Sequence, residues 1–321
     1  MLPLSISGLR NNVESGSKRP HSKVNVSHEL SLMNLIKFSA VFLSLLILFN
    51  SAVARAQGNI LVQNDIEFAN PDEQHLLLDM ASPKGKGPFP AILCIHGGGF
   101  RAGDRHGYDG LIKKFAQRGS VAVTVEYRLA PKFQFPAAVH DSKAAVRWLR
   151  ANSKKYRIDP NRIGVTGGSA GGHLAQFLGV TMGVPEFEGN EGNLKFSSNV
   201  SCVVNFYGPS DFTKSYGKSV DAAEVLPMWL GGDVRTALHK HILSSPLNWV
   251  TPHSAPTLCI HGTKDNYVAY EQATWIVDRL KAAGVEAELL TLEGAGHGFR
   301  SEDAARADEA MFAYFDKHLK P

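Results

Sequence analysis

Arg162-Ile163-Gly164-Val165-Thr166-Gly167-Gly168-Ser169-Ala170-Gly171-Gly172-His173-Leu174-Ala175-Gln176-Phe177-Leu178 is the stretch on which the reading of this 321-residue chain turns. Its first five residues predict a strand and its last seven a helix, with G-x-S-x-G between them. Glycine on either side lets the backbone make a sharp strand-to-helix turn, so the Ser169 hydroxyl stands exposed at the strand's end. A serine presented in this way is suited to acyl transfer through a covalent serine ester. Short Gly/Ser patterns also arise by chance, so the rest of the chain has to decide.

Three further features fall at predicted strand ends. His96-Gly97-Gly98-Gly99-Phe100 follows the apolar run Ala91 to Ile95. Consecutive glycines let backbone N–H groups turn toward a substrate oxygen, so Gly98 and Gly99, with the N–H of Ala170, are the expected oxyanion hole. A merely flexible loop is the plainer reading, but a glycine triplet beside a buried strand is entropically costly without a use. Asp265, in His261-Gly262-Thr263-Lys264-Asp265, follows the strand-like Thr257 to Ile260, and His297 follows Ala287 to Leu292 in a glycine-flanked turn. Proton transfer assigns the roles. His297 accepts the Ser169 proton and returns it to the leaving alcohol, while Asp265 orients the ring and stabilises its charged form.

Plainer readings compete at each position. Most of the 13 histidines are expected to be structural or solvated, and His96, His173 and His261 are read as organising loops by hydrogen bonds. Asp211, in Tyr207-Gly208-Pro209-Ser210-Asp211-Phe212, competes with Asp265 for the acid's role. Asp265 is preferred because it follows a strand directly, one element before the histidine. Arg128 and Asp141 are read as a buried ion pair.

The body reads as one α/β domain. Ile66 to Phe68 and Leu76 to Met80 flank the turn-forming Asn70-Pro71-Asp72-Glu73, which predicts an antiparallel pair. Helices are expected at 111–118, 136–155, 270–283 and 302–319, alternating with strands at 91–95, 121–126, 162–166, 202–207, 257–260 and 287–292. Apolar strands alternating with amphipathic helices predict a mostly parallel central sheet with helices on both faces, a three-layer sandwich. Ligand sites in such sheets gather at the carboxyl ends of the strands.

Composition narrows the partners. The chain is 44% hydrophobic and 20% charged, with a formal charge of +4. That charge lies in residues 1–56, which hold six Lys/Arg and two acids; the remainder carries 28 of each sign. The body therefore offers no basic footprint for nucleic acid. From Met33 the chain reads as a secretory signal. Lys37 opens it, Phe38 to Phe49 form its apolar run, and Ala54-Arg55-Ala56 precede a cleavage point before Gln57. The run is shorter than the roughly 20 residues a membrane span needs, so no stable anchor is expected. Residues 1–32 are polar and unpatterned and are read as an extension ahead of a true start at Met33. Residues 57–321 are then the exported domain. Cys94, Cys202 and Cys259 each sit in an apolar, strand-like run, which predicts packed thiols rather than a disulfide framework.

Other Gly-rich readings fail on spacing. Residues 164–172 lack glycines at i, i+2 and i+5; His173 stands where a phosphate-binding loop needs lysine; and no H-E-x-x-H occurs. No cofactor or metal is expected.

Over residues 60–321 the chain resembles the α/β-hydrolase superfamily, and within it the hormone-sensitive-lipase-like esterases. The likeness rests on His96-Gly-Gly-Gly-Phe100, on Tyr127-Arg128-Leu129-Ala130-Pro131 with Phe135-Pro136-Ala137-Ala138, and on Gly168-Ser169-Ala170-Gly171-Gly172. It implies a carboxylic ester hydrolase with the chain order Ser, Asp, His. The chain departs from that branch in carrying Gly168 where aspartate usually precedes the nucleophile. Its acid also sits in His-Gly-Thr-Lys-Asp rather than an Asp-Pro-Leu motif. Both departures make it more similar to bacterial acetylxylan and feruloyl esterase-like hydrolases. Relatives with a lipase-like cap build it from an N-terminal stretch that here reads as a signal, so an open pocket is expected, roofed at most by residues 183–198 and 211–250. Phe212, Tyr216 and Trp229 either line that site or pack the core. The expected substrate is a small-molecule or carbohydrate ester with a short, acetyl-sized acyl group. Two rivals stand beside this reading. A prolyl-oligopeptidase-type peptidase shares the elbow, but residues before 57 leave no room for its propeller. A non-catalytic binding protein of the same fold usually lacks a member of the triad, and here all three candidates are present.

Overall fold

A computed structural model of the protein describes residues 59–320; the expected signal segment at 33–56 and the expected extension at 1–32 lie outside the described residues. The chain opens with a long antiparallel pair, β1 (Ile60–Ala69) and β2 (Leu76–Pro83), joined across the turn at residues 70–75. Alternation follows through β3 (Phe89–Ile95), α1 (Asp109–Gln117), β4 (Val121–Val125), α2 (Ala137–Ala151), β5 (Ile158–Gly168), α3 (Ala170–Val180) and β6 (Cys202–Phe206). The last elements are β7 (Thr257–Gly262), α4 (Glu271–Ala282), β8 (Ala287–Leu292) and α5 (Ser301–Leu319). The strands form one sheet in the order β1-β2-β4-β3-β5-β6-β7-β8. β2 runs antiparallel to its neighbours β1 and β4, and β3 to β8 are parallel.

Successive side chains of a strand point to opposite faces, and the core follows that rule. On β3, Ala91, Leu93 and Ile95 pack with residues of α2 and α3, whereas Ile92 and Cys94 pack with α1 and α5. α4 covers Cys259 and Ala287 beside Val180 of α3. These layers are the expected three-layer sandwich. Each fully buried Leu, Ile or Val contributes about 1.5–3 kcal/mol of transfer free energy, and both faces of β3 are sealed in this way. All three cysteines are buried free thiols, as their apolar surroundings require.

Several boundaries move from expectation, and two of them have a plain local cause. The helix expected over 136–155 ends at Ala151. There Asn152 leaves helical geometry, its Nδ2 donates to Trp148 O at 3.0 Å, and a single turn at Ser153–Tyr156 follows. β5 is longer than residues 162–166, because Ile158 already pairs with Phe89 before a register irregularity resets the ladder.

Candidate active site

Ser169 sits in the turn between β5 and α3 at φ 57°, ψ −121°, a conformation that non-glycine residues rarely adopt. Its N–H donates to Phe206 O at 2.9 Å, and its carbonyl accepts from His173 N at 2.9 Å, so both neighbours hold the strained turn. Gly171 is required by close approach: a Cβ there would fall inside the envelope of Ile95 O at the end of β3. The same contact draws the loop after β3 to the serine.

That loop is pinned along its length. Tyr127 Oη donates to His96 O at 3.0 Å, the His96 ring stacks on Tyr127 at 4.3 Å, and His96 Nδ1 lies 2.7 Å from Gly97 O. Phe100 is buried and stacks on Trp229 at 3.7 Å. Gly98 and Gly99 take φ of 109° and 60°, which residues with a side chain adopt only under strain. Arg101 and Ala102 donate their N–H groups to Gly98 O at 3.2 and 3.0 Å. Ala170 opens α3, where the first N–H groups have no partner within the helix.

Asp265 is buried just beyond β7. Its Oδ1 accepts from the N–H groups of Tyr267 and Val268, both at 2.9 Å, and its Oδ2 lies 2.8 Å from His297 Nδ1 and 3.3 Å from His261 Nε2. Burial alone would raise its carboxyl pKa. The hydrogen bonds from His261 and His297, the His297 charge and the Val268 N–H together hold it well below the usual carboxylate range. Asp211 is engaged elsewhere: its Oδ1 accepts from Thr213 N at 2.9 Å and its Oδ2 pairs with Lys214 at 3.1 Å. Like His96, the other two loop histidines have structural partners, His173 Nε2 at 2.7 Å from Ser244 O and His261 Nε2 at 2.9 Å from Val268 O. The Arg128–Asp141 pair is buried, with three Arg128 donors within 3.0 Å of the carboxylate.

Gly98, Gly99, Ser169 and His297 line one cleft of about 740 Å³. Sequence patterning missed the tyrosines of its wall: Tyr108, Tyr207 and Tyr267. His297 is flanked by two of them, with ring centroids 4.7 Å from Tyr207 and 5.0 Å from Tyr267. Tyr207 directly follows β6 at φ 41°, a strained position that shows only in the folded chain. Gly168 matters here too. A Cβ at that position would lie 3.1 Å from Tyr108 Oη and 3.2 Å from Tyr207 Oη, so the two phenols fill the space beside the nucleophile. The aromatics of the suggested roof serve packing instead. Phe212 and Trp229 are fully buried, and Tyr216 Oη pairs with His241 Nε2 at 3.0 Å. No lining residue of the cleft comes from 183–198 or 211–250.

Among the described residues, Asp79, His106 and Asp109 bring possible metal-ligand atoms within 4.8 Å of one another. Arg105 Nε lies 3.0 Å from the same Asp79 oxygen and pairs also with Asp65 and Glu126. A guanidinium already neutralises that carboxylate, so the trio belongs to an ion-pair cluster. No helix among the described residues is long and apolar enough to cross a membrane.

Comparison with known proteins agrees with the fold. The BD-FAE family matches residues 78–280. Esterase LipC of Mycobacterium tuberculosis is 35% identical over 235 residues, covering 70% of this chain and 57% of its own length. The chain spans little more than half the length of the curated relatives it matches. A truncated carbohydrate esterase from gut microbiota superposes with a TM-score of 0.72 at 28% identity, over 81% of this chain and 97% of that one. Propionate-bound esterase 2 of Thermogutta terrifontis gives 0.68 at 28% identity, over 81% and 96%. With the family match spanning more than half of its residues, the chain belongs to the BD-FAE family, and its sheet and helices are those of the α/β-hydrolase fold.

Proposed function

We propose that the chain is a carboxylic ester hydrolase that works through a Ser169-His297-Asp265 triad and a covalent acyl-enzyme, on short, acetyl-sized esters of carbohydrates or small alcohols. The observation that carries this reading is the 2.8 Å contact between His297 Nδ1 and a buried, ionised Asp265, in a cleft shared with the strained Ser169. The carboxylate favours the tautomer with the proton on Nδ1, which leaves Nε2 free to accept the Ser169 proton. Ser169 Oγ attacks the ester carbonyl, and the oxyanion forms against the N–H groups of Gly98, Gly99 and Ala170. His297 then protonates the leaving alkoxide, and a water activated by the same ring releases the acid. None of these steps calls on a cofactor.

Carbohydrate as the alcohol is supported by the gut-microbiota carbohydrate esterase among the similar structures and by an export signal at residues 33–56. Cleavage after Ala56 makes Gln57 the first residue of the exported protein, which N-terminal sequencing checks. The enzyme is tested with p-nitrophenyl acetate and acetylated xylan. Ser169→Ala is expected to abolish hydrolysis of both while keeping the wild-type circular dichroism. Retained turnover in that variant, or turnover of peptide amides in place of esters, overturns the reading.

A further inference from the structure

Beside the catalytic cleft lies a second cavity of about 180 Å³, between α1, α5 and the carboxyl ends of β5 and β6. Leu111, Phe206, Phe299, Ala307 and Met311 make most of its lining apolar, with Thr166 and Asp308 as its polar members. Tyr108 and Tyr207 line both this cavity and the cleft that holds Ser169. Their hydroxyls converge on Gly168, within 3.1 and 3.2 Å of where a side chain there would begin. The two rings therefore separate the nucleophile from an apolar space.

The tetrahedral intermediate says which part of the substrate meets that partition. Of the four bonds at the attacked carbon, one goes to Ser169 Oγ. The oxyanion points to Gly98, Gly99 and Ala170, and the leaving oxygen to His297, which must protonate it. The acyl substituent takes the remaining direction. The cleft wall left over also includes Arg101, Ala102, Tyr267 and Gly298, but the part of it directly beside the nucleophile is Gly168 with the Tyr108 and Tyr207 hydroxyls. An apolar cavity of about 150 Å³ is large enough for benzene, so the space behind the rings suits a six-carbon apolar group.

We propose that the Tyr108–Tyr207 pair limits the acyl groups accepted by Ser169 to short chains, and that the cavity behind it is a preformed acyl subsite of about six-carbon size that the pair closes off. The proposal rests on the esterase reading above. Of the two rings, Tyr108 is the one to alter, because Tyr207 also packs on His297.

The test compares kcat/KM for p-nitrophenyl hexanoate and acetate. Tyr108→Ala is expected to raise the hexanoate-to-acetate ratio at least tenfold, and Tyr108→Phe, which keeps the ring, to leave it within about threefold. Adding Ala307→Leu to Tyr108→Ala refills the cavity and is expected to reverse the gain. Tyr108→Leu replaces the alanine variant if that protein does not fold. An unchanged ratio in the folded protein overturns the proposal, as does a gain that Ala307→Leu leaves intact, or an equal gain with Tyr108→Phe. Hydrolysis of neither ester by the wild type, or hydrolysis surviving Ser169→Ala, tells against the esterase reading itself. The ratio among active variants tells on the partition alone.

Discussion

Replacing Asp265 by asparagine changes a charge while leaving the outline of the side chain almost untouched. Oδ1 would still accept from Tyr267 and Val268, so the turn after β7 keeps its shape. At the other end an amide NH2 can face His297 Nδ1, which favours the tautomer with its proton on Nε2, where a base must be free. Asp265→Asn is therefore expected to lower kcat by about 10³–10⁴-fold and, because it removes the charge that His261 and His297 hold, to lower the unfolding free energy at neutral pH as well; steady-state kinetics beside urea denaturation checks both. At this scale, legibility depended on local pattern. Ser169, Asp265 and His297 each follow a strand in a turn rich in small residues, and such turns leave a trace in sequence. Tyr108, Tyr207 and Tyr267 reach the cleft from three separated loops and share no spacing, so only the folded chain brings them together. Trp229 and Phe212 gave the opposite difficulty. An aromatic that lines a pocket and one that fills a core look alike until packing shows Trp229 stacked on Phe100 and Phe212 edge-on to it.

The elements were easier to read than their ends, because periodicity reports burial along a whole segment while a boundary depends on one or two residues. β8 falls at its expected residues, whereas α2 stops four residues early at Asn152, where a side-chain hydrogen bond to Trp148 O competes with the helix. How tightly elements approach is also written in glycines, but only some of them. At the start of α3, Gly171 presses on Ile95 O, and Gly167 has no room for a Cβ, which would sit 2.5 Å from the same oxygen. Gly171→Ala must push α3 off β3, and is expected to cost about 3 kcal/mol or more together with most of the activity. Gly110, in the first turn of the exposed face of α1, has nothing within 4 Å of its would-be Cβ. Gly110→Ala should stabilise the protein by about 0.5–1 kcal/mol through helix propensity and a less flexible unfolded chain. Urea unfolding of the two variants, moving in opposite directions, measures how far strand-to-helix contact rather than glycine flexibility sets this architecture.

Across the whole molecule, buried titrating groups pull stability in opposite directions as pH changes. Burial lowers His173 to about 3, below its usual 6.5, even though Ser244 O accepts from it. Between those values the unfolded chain binds the extra proton, so this residue makes stability rise with pH from about 3 to 6.5. Burial raises Asp221 to about 7 from 3.8, aided by the Asp265 charge and opposed by the Ala222 N–H. Here the folded state holds the extra proton, so Asp221 makes stability fall as pH rises from about 4 to 7. Each slope reaches about 1.4 kcal/mol per pH unit at most, and over the shared window the two largely offset one another. Asp221→Asn keeps the shape and removes one of them. Relative to the wild type, the variant is expected to gain stability steadily between pH 4 and 7, by up to about 4 kcal/mol over the window, with no further relative gain above pH 8. Urea denaturation of both proteins at half-unit steps reads the difference directly. Parallel curves would mean that Asp221 stays ionised in the folded protein, and that its burial beside Asp265 is balanced by solvent rather than by a proton.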